Sequence, residues 1–188
     1  MTTFLGRAVA LCATLGILFL MTGCGVLGAM ANPKVAWAVG DPAPMTIVVR
    51  RADAADANFL FPIQKLYELE EVVITPSHFD DGQCLRSLRI ALKEQIVYVA
   101  ELSGAAVAKA GTNARGYTVD QIGGVYTVPS ERGKGLGKAV VSELLKNVFS
   151  EKKEACLFVK KHNRSAIALY ERLGFAPVND YVISYYGL

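Results

Sequence analysis

Residues 125–137 read Val-Tyr-Thr-Val-Pro-Ser-Glu-Arg-Gly-Lys-Gly-Leu-Gly, an apolar strand stopped at Pro129 and followed by three glycines at the start of a helix. Gly133, Gly135 and Gly137 carry no Cβ, so a ligand can approach the main chain closely, and the unpaired N–H groups of a helix's first turn point at whatever sits there. The helix dipole adds a positive end, which makes a phosphate the natural guest. Spacing excludes two kinds of phosphate loop. A P-loop requires glycine where Arg132 stands and a hydroxyl where Ala139 stands. The dinucleotide fingerprint would place its third glycine at 138, which is lysine, and no acidic residue follows at the expected distance.

What remains, Arg132-Gly-Lys-Gly135-Leu-Gly137, has the form Arg/Gln-x-x-Gly-x-Gly/Ala. Here the chain resembles the GNAT (general N-acetyltransferase) superfamily. The resemblance implies that Arg132, Gly133, Lys134, Gly135, Leu136, Gly137 and Lys138 hold the pyrophosphate of an acyl-coenzyme A, acetyl-CoA above all, with Thr127 and the Val128 N–H along the pantetheine arm. The alternative is a glycine-rich turn with no ligand, although three glycines weaken a helix start without a structural need.

Asn163 and Tyr170 lie seven apart on a predicted helix, a rotation ~20° short of two turns, so they share a face roughly 10 Å apart along the axis. Acyl transfer from a thioester to an amine needs a positioned donor, a polarised carbonyl, a deprotonated amine and an acid for the departing thiolate. The resemblance assigns Asn163 to the pantetheine arm, the Tyr170 hydroxyl to protonation of the sulfur, and the Val125 backbone N–H to the carbonyl. Tyr170 also falls in register with Ala166 and Leu173, the pattern of a plain core residue. Where relatives carry a carboxylate base this chain has Gln121, and an amide accepts no proton at neutral pH. Asp120 is adjacent but on the other face unless Gly123-Gly124 shifts the strand's phase. Glu70, Glu71, His78 or a water chain are the other candidates. Glu68, Glu70 and Glu71 would suit a cationic acceptor such as a polyamine, aminoglycoside or lysine side chain, whereas Asn113 and Arg115 would suit a carboxylated one.

The positioning elements can be read from residue 46 onward. A strand over 46–50 precedes a helical region containing Leu60 and Ile63, divided at Pro62, and a second helix capped by Asp80 or Asp81 with Leu85, Leu88 and Leu92 on its inner face. Strands at 96–100 and 105–110 form a hairpin at Gly104, a turn follows at 113–116, and a long strand over 117–128 is broken by Gly123-Gly124. Leu136, Val140, Leu144 and Val148 mark the inner face of the helix after the glycine turn. A wholly apolar strand at 155–159, a helix over 164–173 closed by Gly174, and a strand at 181–186 complete the order. This predicts an α/β fold, a mixed, strongly twisted sheet with about four helices, in a GNAT domain over 45–188. In that family a bulge in this strand opens a cleft against the next.

Residues 8–33 carry no charge and inflate the 52% apolar content. They read as a secretory leader with a lipoprotein-like box at Cys24, as one membrane-spanning helix bringing membrane contact, or as an extension from a misplaced start before Met45. These readings leave open an exported lipoprotein with a structural role, and beside it a non-catalytic acyl-CoA sensor. Acyl-coenzyme A is an intracellular metabolite, which favours a cytoplasmic domain. The net charge of +3 implies no nucleic-acid partner, and the scattered Cys12, Cys24, Cys84 and Cys156 imply neither metal site nor disulfide framework. Charge is uneven, however: residues 132–172 are strongly basic, and Lys134, Lys138, Lys160, Lys161 and Arg164 are the expected phosphate neighbours.

Overall fold

The computed structural model describes residues 16–22, 46–151 and 154–182. In chain order these form β1 (Gly16–Thr22), β2 (Ile47–Arg51), α1 (Ala57–Tyr67), α2 (Asp81–Glu94), β3 (Val97–Leu102), β4 (Ala105–Arg115), β5 (Val119–Thr127), α3 (Leu136–Glu151), β6 (Glu154–Lys160), α4 (Arg164–Arg172) and β7 (Ala176–Tyr181). One seven-stranded sheet runs β2-β3-β4-β5-β6-β1-β7. Only the β5–β6 pair is parallel, as a strand-helix-strand crossover through α3 requires. The mixed α/β architecture with four α-helices is the expected one.

Local chemistry accounts for the elements. Ser103 and Gly104 both have positive φ (50° and 78°), the two-residue turn whose twist matches the flanking β3 and β4. Asp80 caps α2 by accepting from the Gln83 N–H at 3.0 Å. Pro62 does not divide its helix but lies inside α1, where the neighbouring Leu60 and Ile63 are fully buried and their packing outweighs proline's cost. Strand β4 runs on to Arg115, through the expected turn. The last strand lies five residues earlier than its apolar alternation predicts, at Ala176–Tyr181, and Pro177 is tolerated there because β7 is the sheet's edge; residues 183–188 lie outside the described set.

Each face of the sheet has its own core. Alternation along β3 divides them: Val97 and Val99 pack with Leu60, Ile63, Leu88 and Leu92 of α1 and α2, while Ile96 and Ala100 join Val140, Val141, Leu144 and Val148 of α3. Ile167, Tyr170, Leu173 and Phe175 belong to the second cluster.

Of the apolar N-terminal segment, only β1 is among the described residues. It is extended and antiparallel to both neighbours, from Gly16↔Lys160 to Thr22↔Glu154 on β6 and from Gly16↔Tyr181 to Leu20↔Ala176 on β7. Among the described residues no helix is long and apolar enough to cross a membrane.

Candidate active site

Strands β5 and β6 pair only from Val119↔Glu154 to Ile122↔Leu157, and beyond that point the sheet parts. The cause lies in β5. Lys109 opposes Tyr126 and Gly111 opposes Gly123, so Ala110 alone faces both Gly124 and Val125. This two-against-one count, with Gly124 at φ 58°, is a bulge that only glycine forms without strain. The bulge reverses the alternation: Ile122 packs in the α3 cluster, yet Tyr126, four residues on, packs in the α1–α2 cluster. A Cβ on Gly123 would stand 1.9 Å from the Asn113 side-chain nitrogen and would push that exposed amide aside.

At the end of β5, a short 3-10 turn over Pro129–Glu131 leads into the glycines. Gly133 and Gly135 have φ of 77° and 82°, and a Cβ on either would meet nothing within 4 Å. Backbone conformation, not crowding, therefore selects glycine there, and the space above the turn is open. The first helical bond runs from Ala139 N–H to Gly135 C=O at 3.0 Å, so the N–H groups of Leu136, Gly137 and Lys138 have no acceptor within α3. Three donors at the positive end of a sixteen-residue helix, under open space, fit a diphosphate.

Hydrogen bonds within the chain bear on two of the expected contacts. The Val128 N–H donates to Val107 C=O at 3.0 Å, so it is spent inside the sheet and not on a pantetheine arm. The Arg132 side chain turns back from the glycine turn: Nε donates to Thr127 C=O at 3.0 Å, and NH2 donates to both Glu70 oxygens at 2.8 and 2.7 Å. Lys134 pairs with Glu131, Lys160 with Glu71 and Lys161 with Asp180.

Asn163 stands at the N-cap of helix α4 and Tyr170 within it, as expected. The Asn163 carboxamide oxygen caps the helix, accepting from Ala166 N–H at 3.1 Å and Ser165 hydroxyl at 3.0 Å, which leaves its NH2 to offer a ligand. The far end is closed by paired bonds from Phe175 N–H to Tyr170 C=O and from Gly174 N–H to Glu171 C=O, both 3.0 Å, with Gly174 at φ 93°. Phe175 thereby stands edge-on to Tyr170, ring centroids 5.9 Å apart. Tyr170 is buried, and burial pushes its phenol well above the ordinary value, so it keeps its proton.

The three glutamates between α1 and α2 form a π-helical turn over Glu68–Val72. Glu68 accepts from Gln64, Glu70 from Tyr126 hydroxyl at 2.7 Å as well as from Arg132, and Glu71 from Lys160 at 2.6 Å. The turn thus ties β5 to β6 across the parted end of the sheet. The Arg132 guanidinium, with help from Tyr126, holds the Glu70 carboxyl below its usual range, which makes it a poor base. Burial, then the Glu70 bond, lifts the Tyr126 phenol to about 12. Asp120 is no better placed. It precedes the bulge, so the phase shift cannot redirect it, and it lies fully buried with Arg115 Nε 3.6 Å away. Arg115 itself pairs with Glu151 of α3, and the Asn113 side chain lies against Gly123. His78 is exposed on a separate 3-10 turn. Among the described residues no group of His, Cys, Asp and Glu is placed to hold a metal.

Sequence reasoning passed over Lys109, a buried cation whose Nζ donates to Gly124 C=O at 2.8 Å. Its signal was a lone charge within residues 105–111, a run otherwise of Ala, Val and Gly.

The sequence profile of the acetyltransferase (GNAT) family matches residues 63–175, spanning the bulge, the glycine turn and α4. The chain belongs to this family. It is 37% identical over 65 residues to mycothiol acetyltransferase of Streptomyces scabiei, a stretch that covers 32% of this chain and 21% of that protein. Among solved structures it is similar to a GNAT-family protein of Novosphingobium aromaticivorans (TM-score 0.60, 20% identity, 89% of this chain and 62% of the other). It is similar also to the aminoglycoside N-acetyltransferase AAC(6')-Iy in complex with CoA (TM-score 0.63, 16% identity, 78% and 98% coverage) and to a predicted acetyltransferase of Clostridium acetobutylicum with acetyl-CoA (TM-score 0.60, 21% identity, 74% and 96%). At these identities the structural likeness is one of fold.

Proposed function

We propose that this GNAT chain transfers an acetyl group from acetyl-CoA to a primary amine of a small molecule or peptide, by direct attack within a ternary complex. The observation that carries the reading is the parting of β5 from β6 after Ile122↔Leu157, beside an αL bulge and at the foot of the glycine turn. The first-turn N–H groups of α3 bind the diphosphate, the Asn163 amide and the gap between the strands take the pantetheine arm, and the Val125 N–H faces the thioester carbonyl. As the amine nitrogen bonds to that carbon, the C–S bond breaks and the thiolate takes the proton held on Tyr170. The amine's own proton leaves through water, since Glu70, Glu71 and Asp120 are bound in ion pairs. The domain acts in the cytoplasm, where acyl-CoA is made and used.

The test is thiol release by the full chain with acetyl-CoA and a panel of polyamine, aminoglycoside, amino-acid and lysine-peptide acceptors. Tyr170→Phe is expected to lower kcat by roughly 10²- to 10⁴-fold while leaving acetyl-CoA affinity unchanged; equal turnover removes Tyr170 from the chemistry. A second reading, an acyl-CoA sensor without turnover, is favoured by Gln121 and the ion-paired carboxylates. Calorimetric binding with no product from any acceptor would select it, and absence of CoA binding would refute both.

A further inference from the structure

We infer that Lys109 is a positioning residue for acyl transfer: from the far side of the β5 bulge it fixes the Gly124–Val125 peptide so that the Val125 N–H is presented to the thioester carbonyl. The inference rests on the proposed function.

A cation in a protein core is costly unless its protons are satisfied, and Lys109 is only 5% exposed, in a strand whose neighbours are Ala106, Val107, Ala108 and Ala110. Its surroundings indicate what it is for. Nζ donates to Gly124 C=O at 2.8 Å and stands over the Tyr67 ring, 4.2 Å from its centroid. The acceptor is no ordinary sheet carbonyl. It belongs to the residue whose positive φ makes the bulge, and a Cβ on that residue would come within 3.2 Å of Nζ. Glycine at 124 is required by the conformation, and a side chain there would also press on the ammonium.

In a trans peptide the C=O of one residue and the N–H of the next point in opposite directions, and the chain has no cis bond among the described residues. Lys109 Nζ lies among Tyr67, Glu68 and Cys84 on the α1–α2 side of the sheet, so the Val125 N–H is turned away from that side. Neither Gly124 nor Val125 has a register partner on β4 or β6, and the ammonium bonds the carbonyl of the peptide that joins them. A positive charge on the carbonyl oxygen also polarises the amide, which makes its N–H a stronger donor.

The groups facing Lys109 are Tyr67 of α1, Glu68 of the π-helical turn, Cys84 of α2 and Tyr126 across the ladder. Burial brings the ammonium down to about 8, against the pull of Glu68 and Cys84, whereas Tyr67, Cys84 and Tyr126 keep their protons to about 12. Between pH 7 and 9.5, then, Lys109 alone of these lysine, tyrosine and cysteine side chains changes charge.

The experiment is isotope-edited infrared spectroscopy of carbonyl-labelled acetyl-CoA bound to the full chain, with calorimetry of acetyl-CoA and of CoA. Wild type should show a lowered thioester carbonyl frequency at pH 7 that rises toward the free value by pH 9.5. Lys109→Met should return the band toward the free value, cut kcat roughly 10- to 100-fold, and leave CoA affinity and the acceptor KM unchanged, because the glycine turn is intact. A folded Lys109→Met protein with the wild-type band and kcat overturns the inference. Should that variant not fold, a wild-type band independent of pH between 7 and 9.5 overturns it equally. A wild-type chain that binds neither CoA nor acetyl-CoA overturns the proposed function, and this inference with it.

Discussion

Gly135 offers a test in which conformation and charge separate cleanly. Its φ of 82° lies in the left-handed region, and a Cβ would meet nothing within 4 Å, so alanine and glutamate suffer the same backbone cost and no clash. That cost is ~1–2 kcal/mol, which for a chain of this size lowers Tm by roughly 2–8 °C. Gly135→Ala and Gly135→Glu should therefore melt together, below wild type. Their coenzyme affinities should not match. A carboxylate about 5 Å from a bound diphosphate, at an effective dielectric between about 20 and 80, is repelled by ~1–3 kcal/mol per charge pair, a loss of roughly 5- to 150-fold. Isothermal calorimetry with CoA at low salt measures this, and the gap between the two variants should narrow at high salt as screening grows. If Gly135→Glu is folded and binds CoA as tightly as Gly135→Ala, the diphosphate does not sit over this turn.

Leu144, fully buried on the inner face of α3, should cost ~2–5 kcal/mol when cut to alanine, read as a lower denaturation midpoint with unchanged slope. Glu70→Gln should reduce the loss of stability on acidification. Arg132 holds the Glu70 carboxyl down, so the pair's contribution is present above about pH 4.3 and vanishes as pH falls through the folded value; both partners are exposed, which keeps it within about 1 kcal/mol. At alkaline pH the sign reverses. Burial raises the phenols of Tyr67, Tyr126 and Tyr170, so their contribution is complete below about pH 10 and is lost above it, which denaturant titrations at pH 9 and 11 would show as a falling midpoint.

The glycine turn and the helix-end signals were legible because their physics is local: Gly133, Gly135 and Gly174 each need a positive φ that their own residue type announces. The bulge was legible from Gly123-Gly124, but its effect on Asp120 was not, since that depends on where along β5 the phase changes. The Glu70–Arg132 and Lys160–Glu71 ties were illegible because they join residues 62 and 89 positions apart, and nothing in a run of glutamates tells a solvated face from a clamp. Residues 176–181 lack the alternation that 181–186 possess, so pattern alone favoured the later segment. The seven residues of β1 are uncharged and apolar up to Thr22, a pattern that a leader, a membrane span and a doubly paired strand share equally.

The place of β1 bears on the order in which the chain is finished. Its two ladders join it to β6 and β7, well over a hundred positions downstream, so a nascent chain emerging from the ribosome holds Gly16–Thr22 unpartnered until those strands have been synthesised. Of the described strands, the first made waits for the two made last. Closing so long a loop is slow, and throughout that delay an uncharged stretch stays available to a chaperone, a targeting factor or a bilayer, each competing in time with the completion of the sheet.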